Sequence, residues 1–180
     1  MVAERNRAKI PLVACLGLLA LGLQTQSAEA WSAPYCVNQT GAKVCVVATN
    51  VDFTGDNRRQ ELSLQLLETS VGSRMAALVM KDPVWSMPSR DDIFATLSVD
   101  GTADIRRRVY TSGDGIVIFL NVDDLSLLAL GRELQVKLPQ FEAYYPLMGS
   151  RTAIDGLHKR FLEFIARSDP FSGGSPRPPG

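Results

Sequence analysis

Three sets of residues in this 180-residue chain have the types and spacing to do chemistry: Cys36 with Cys45, the adjacent carboxylates Asp91-Asp92 and Asp123-Asp124, and the basic run Arg106-Arg107-Arg108. The cysteines flank a polar, turn-like segment centred on Gly41. In an oxidising compartment that spacing reads as a disulfide closing a hairpin; redox chemistry would want Cys-x-x-Cys, and a metal site more ligands than two thiols. Asp123 and Asp124 stand just ahead of the apolar run 125–130, where either can cap the free amides of a helix that Gly131 ends. A cation site or an acid pair is the competing use of the same residues.

The only histidine is His158. It sits four residues after Ile154 and three before Phe161, on or beside an apolar helical stripe, so a packed boundary histidine competes with a general base. With the cysteines paired, zinc ligation and cysteine nucleophile schemes lack their usual parts. Phosphate-cradling, dinucleotide and nucleophile-elbow motifs are absent from the sequence. A hydrolase built on Asp91, Asp92, Asp123 or Asp124 stays open, because separated loops can bring two acids together.

If residues 102–110 form a strand, Arg106 and Arg108 share one side with Asp104 and Tyr110, while Arg107 shares the other with Ile105 and Val109. Two arginines beside a tyrosine can clasp an acidic partner. The alternative is a solvated edge strand whose charges discourage pairing with other chains. Trp85, between Pro83 and Pro88, reads as a loop aromatic that either meets a partner or folds back over the core.

The elements that must position these residues read as mainly β. Residues 97–138 contain Asp100-Gly101 and Gly113-Asp114-Gly115 between alternating or apolar runs, the pattern of an antiparallel meander in which Asp-Gly supplies positive φ. Further strands are expected over 44–49, 75–80 and 141–147, the last carrying Tyr144 and Tyr145. Leu62, Leu64 and Leu66 alternate as in a half-buried strand, with a short helix over 61–69 as the alternative. After Gly149-Ser150 the longest helical pattern carries Ile154, Leu157, His158, Phe161, Leu162, Phe164 and Ile165 as one broad stripe. The fold class is therefore an antiparallel, β-sandwich-like domain with a short helix and a C-terminal helix.

Residues 1–30 read as a secretory signal peptide: Arg5, Arg7 and Lys9, then a 14-residue apolar run, then Ser27-Ala28-Glu29-Ala30 before the cut. Leu12-Val13-Ala14-Cys15 has the form of a lipoprotein box, a competing route to an envelope anchor. One domain over 31–168 and a Pro/Gly/Ser tail over 169–180 follow. The leader takes three basic and two acidic residues with it, leaving 16 Lys or Arg against 17 Asp or Glu. A balance near −1 gives no support for nucleic-acid binding. No cofactor, no metal and no integral membrane span in the mature chain are expected, and the location is the periplasm or outside the cell. Asn38-Gln39-Thr40 matches a glycosylation acceptor, relevant only to a eukaryotic secretory route.

Trp31 ahead of Cys36 and Cys45, the apolar strand 44–48, the leucine helix 125–130 with Gly131 before strand 133–138, and Leu147-Met148-Gly149-Ser150 before 153–157 resemble the invasion-associated locus B family of small alphaproteobacterial envelope proteins. Where its members commonly carry a second cysteine pair, this chain has the arginine-rich stretch 106–115. The resemblance implies a β-sandwich-like envelope domain with a role in host contact or envelope maintenance, and no catalytic residues to carry over.

The expected activity is non-enzymatic protein binding in or outside the cell envelope, through Trp85, Arg106, Arg108 and Tyr110 with Tyr144 and Tyr145. Aromatics and arginines anchor interfaces at modest entropic cost. An inhibitor or immunity protein inserting the loop 83–88 into a hydrolase cleft is a narrower form of the same expectation.

Overall fold

The structure is a computed structural model, and it describes residues 27–28, 30–39, 41–53, 58–102, 104–139 and 141–167. The n-region and apolar run of the expected signal peptide, Cys15, Thr40 of the acceptor triplet and the tail 169–180 lie outside the described residues. Among the described residues ten strands and two helices follow one another: β1 (Ser27–Ala28), β2 (Tyr35–Gln39), β3 (Ala42–Phe53), β4 (Arg58–Thr69), β5 (Arg74–Lys81), β6 (Met87–Val99), β7 (Asp104–Gly113), β8 (Gly115–Leu120), α1 (Val122–Leu130), β9 (Glu133–Leu138), β10 (Phe141–Pro146) and α2 (Ser150–Arg167). The short β1 falls within the residues read as a leader, so cleavage after Ala30 would remove its pairing with Val51 and Asp52.

The strands form one antiparallel sheet in the order β1-β3-β4-β5-β8-β7-β6-β9-β10, with β2 also on β3. Period-two alternation builds its inner face. Val47, Leu64, Leu78, Ile118 and Val109 are register partners in succession across five strands, and each is at most 1% exposed. Burying each such side chain contributes about 1.5–3 kcal/mol. The sheet coils until its far strands oppose each other: the Tyr145 hydroxyl on β10 donates to Gln60 Oε1 on β4 at 2.7 Å, inside the core. One coiled sheet thus supplies both walls of a sandwich-like core.

Turn chemistry sets the hairpins. Asp100 (φ 52°) and Gly101 (φ 65°) are both left-handed, as the tight turn closed by the Thr102 N–H on the Val99 carbonyl at 3.0 Å requires. In the next hairpin Gly113 (φ 58°), not Gly115, carries the positive φ, so the loop sits one residue earlier than the Asp-Gly motif suggests. The expected meander holds for β6, β7 and β8 only. Strand β9 returns to the other edge of β6, with Leu97 opposite Val136. Asp100 pins this return, its carboxylate accepting from the backbone N–H groups of Arg132 and Glu133 at 2.9 Å each.

Residues 61–69 are strand, as their alternation favours, not helix. The proline-bounded stretch 83–88, expected as loop, is strand from Met87, with register shifts between Met87, Arg90 and Ile93. Its bulges let Pro88 sit in a strand without breaking the sheet.

Helix α1 is capped by Asn121, whose side chain accepts from the Asp124 N–H at 2.8 Å while Asp124 Oδ2 accepts from the Asn121 N–H at 3.0 Å. The carboxylates expected as caps thus fill the first turn, and Asp124 closes a capping box. Gly131 ends α1 in extended backbone, where a Cβ would overlap Val99 Cγ1; close approach, not left-handed φ, requires glycine. Helix α2 buries Ser150, Ala153, Leu157, Phe161 and Ile165 against α1 and strands β2 to β4. His158 and Leu162, expected on or beside the packed stripe, face solvent, because the buried stripe is narrower than the apolar one.

Candidate functional site

Strand β7 divides its three arginines between the two faces of the sheet. Val109 is fully buried opposite Ile93 and Ile118, which fixes the inner phase of the strand, so Arg106, Arg108 and Tyr110 point outward. On that outer face the Arg106 guanidinium carbon lies 4.4 Å from the Phe94 ring centroid, and that of Arg108 lies 5.6 Å from the Tyr110 ring. Tyr110 in turn meets Phe119 edge to face at 5.4 Å. Arg108 is held further: its Nε donates to the Asp91 carbonyl at 2.6 Å and its Nη2 pairs with the Asp91 carboxylate at 3.1 Å. Beside it Arg90 clasps Asp92 with two bonds of 2.9 and 2.8 Å, and this hydrogen-bonded guanidinium holds the Asp92 carboxyl below its ordinary range.

The Arg106 guanidinium has no hydrogen bond or ion pair among the described residues. A planar fork held over a ring with its donors unspent is pre-organised to meet a carboxylate, because the stacking has already restricted its rotamers. Thr96 and then Lys137 are its register neighbours across β6 and β9 on the same face.

The six residues expected to meet a partner do not form one surface. Arg106, Arg108 and Tyr110 come together with Phe94, Phe119 and Asp91. Tyr144 shares their outward face but lies on β10, three strand spacings or about 14 Å from β7. There its hydroxyl donates to Glu142 at 2.9 Å and accepts from Gln135 at 2.8 Å. The bond from Tyr144, with that from Gln135, lowers the Glu142 pKa, and the Glu142 carboxylate raises that of the Tyr144 phenol.

Tyr145 is wholly buried, and its place in the core removes it from any partner surface. Alternation allows one of two adjacent tyrosines to face out, and the pairing of Leu134 with Tyr145 on the inner face decides which. Trp85 is half-buried edge to face on Phe141, with centroids 5.2 Å apart, and packs against the core. It folds back over the sheet instead of joining the arginines. Phe94, Asp91 and Phe119 were not expected in the site. The one signal that could have found Phe94 is the Asp-Asp-Ile-Phe run, which places an aromatic diagonal to Arg106 once β6 is extended through it.

Of the four carboxylates considered for hydrolysis, Asp91 pairs with outer-face Arg108 and Asp92 with Arg90, whereas Asp124 receives Arg107 from the inner face at 2.6 and 2.7 Å and Asp123 is exposed in the first turn of α1. No group of three or more His, Cys, Asp or Glu is placed to hold a metal ion among the described residues. No helix among them is long and apolar enough to cross a membrane. The disulfide joins Cys36 and Cys45, directly opposed residues of β2 and β3.

No family model matches this chain, and no curated protein matches it. Among solved structures, the crystal structure of invasion associated protein B from Bartonella henselae is similar at 17% identity and a TM-score of 0.48, covering 77% of this chain and 96% of that one. A likeness at that level passes neither family nor activity to this chain.

Proposed function

We propose that this chain is a non-enzymatic accessory protein of the cell envelope that binds another protein through the outer face of β6 and β7. The observation that carries the reading is Arg106: stacked over Phe94 at 4.4 Å, with its hydrogen-bonding fork unspent among the described residues. Arginine with aromatic neighbours is the composition of interface anchors. Arg108, Tyr110 and Phe119 extend the same face. The Cys36–Cys45 disulfide fits an oxidising compartment, in keeping with a periplasmic or secreted location. The resemblance of the sequence to envelope proteins points the same way.

The test is affinity capture from envelope extract with the oxidised protein, compared with Arg106→Ala/Arg108→Ala. Both side chains are exposed and outside the core, so the double variant keeps its Tm within a few degrees. Loss of a saturable protein partner from the variant supports the reading. Equal capture by both proteins removes this face from the function.

A further inference from the structure

A concave feature lies away from the arginine face, where the ends of β4, β5 and β8 meet the two helices. It is a cavity of about 570 Å³. Ala76, Leu120, Leu157 and Phe161 form its buried floor. Its walls are helical: Val122, Leu125 and Ala129 recur along one side of α1, and Ile154 and Leu162 along one side of α2. At the rim Val122, Leu162 and Met75 leave large apolar side chains in water. Such surface releases free energy when an apolar group covers it, and a concave site of this size takes a small molecule better than a flat partner.

Charge selects the kind of small molecule. At the rim Arg74 shares the single carboxylate of Glu68 with Lys43, at 3.0 and 3.2 Å, so this triad keeps one uncompensated positive charge. Arg74 uses its Nε for Glu68, and its two terminal nitrogens meet no acceptor among the described residues. Helix α2 adds Arg151, Lys159, Arg160 and Arg167 against Asp155 and Glu163. Asp155 is the one carboxylate lining the cavity, and His158 beside it offers a further donor. Among the lining residues the charges are Arg74 and Asp155, and of the two only Arg74, with its terminal nitrogens unspent, can bind an anion.

We infer that this cavity binds a free long-chain carboxylate, its acyl chain along the apolar floor between α1 and α2 and its head group at Arg74. The inference stands apart from the protein-binding face, since no cavity residue belongs to that face.

The test titrates the purified protein with dodecanoate below its micelle concentration, and in parallel with dodecanol. The expected result is one saturable dodecanoate site per chain, with dodecanol bound about tenfold more weakly, because a charge-assisted hydrogen bond is lost. Arg74→Gln should level the two ligands. Ala129→Phe should fill the cavity and abolish binding of both; if that variant unfolds, Ser126→Phe, at an exposed position on the cavity wall, makes the same test. Absence of saturable binding, equal affinity for acid and alcohol, or undiminished binding by a folded cavity-filling variant would overturn the inference. So would binding to anionic vesicles without binding to monomeric dodecanoate, or ligand uptake only through formation of a dimer.

Discussion

Replacing Asp124 by alanine tests how α1 is held to the sheet. The carboxylate has only 4% of its side chain exposed and accepts from Arg107 Nε at 2.7 Å, from Arg107 Nη2 at 2.6 Å and from the Asn121 N–H at 3.0 Å. Breaking a fully buried ion pair costs about 3–5 kcal/mol, chiefly through the charge left behind. Arg107 keeps 27% of its side chain in water and a bond to the Arg106 carbonyl, so its stranded charge stays partly solvated and the pair loss falls to about 2–3 kcal/mol. Losing the reciprocal half of the capping box adds about 0.5–1 kcal/mol. The expected total is about 3 kcal/mol, a large share of the 5–15 kcal/mol typical of a domain, with Tm lowered by about 6–12 °C.

Urea unfolding of wild type, Asp124→Ala, Arg107→Ala and the double variant measures it, with an unchanged slope showing that the unfolded state is not altered. The cycle should give a coupling energy above about 1 kcal/mol. A loss below about 1 kcal/mol for Asp124→Ala, or additive single substitutions, would refute the claim that this pair fastens α1. Because α1 forms one wall of the apolar cavity, the same variant should also weaken dodecanoate binding.

Two other perturbations have signs that follow from the structure. Replacing both cysteines by alanine opens the hairpin of β2 and β3 and should cost about 2.5 kcal/mol by loop entropy, read as a lower urea midpoint than that of the oxidised protein; an unchanged midpoint would show that the five paired residues of β2 hold the hairpin without it. Glu68 has its pKa lowered below the ordinary 4.5, first by its hydrogen bond from Arg74 and then by Lys43. A depressed folded value means its stabilising contribution is complete above pH 4.5 and is lost as pH falls through the lowered value, so Glu68→Gln should unfold with a shallower acid dependence than wild type.

Much of this architecture is legible locally. The alternation in residues 62–66, the apolar run 116–120, the loop glycines Gly41 and Gly101, the cysteine spacing and the stripe of α2 each act over a few residues, where strand and helix periods are set by the chain itself. The grouping of Arg106, Arg108 and Tyr110 on one side of β7 followed from the same period, because neighbours two apart on a strand must share a face.

Tertiary structure decided which face that was and what it met. Alternation separates Tyr144 from Tyr145 and Arg106 from Arg107, but its phase relative to the core depends on partners such as Leu134 and Ala95, 10–12 residues away along the chain. The return of β9 to β6, the fold of Trp85 onto Phe141 and the approach of α1 and α2 around one cavity are contacts between distant segments, chosen by which apolar faces can be covered together. Local periodicity determined the elements and their two faces, while competition to bury those faces determined which carboxylate, which ring and which helix each arginine met, because burial is a property of the assembled chain and not of any one segment.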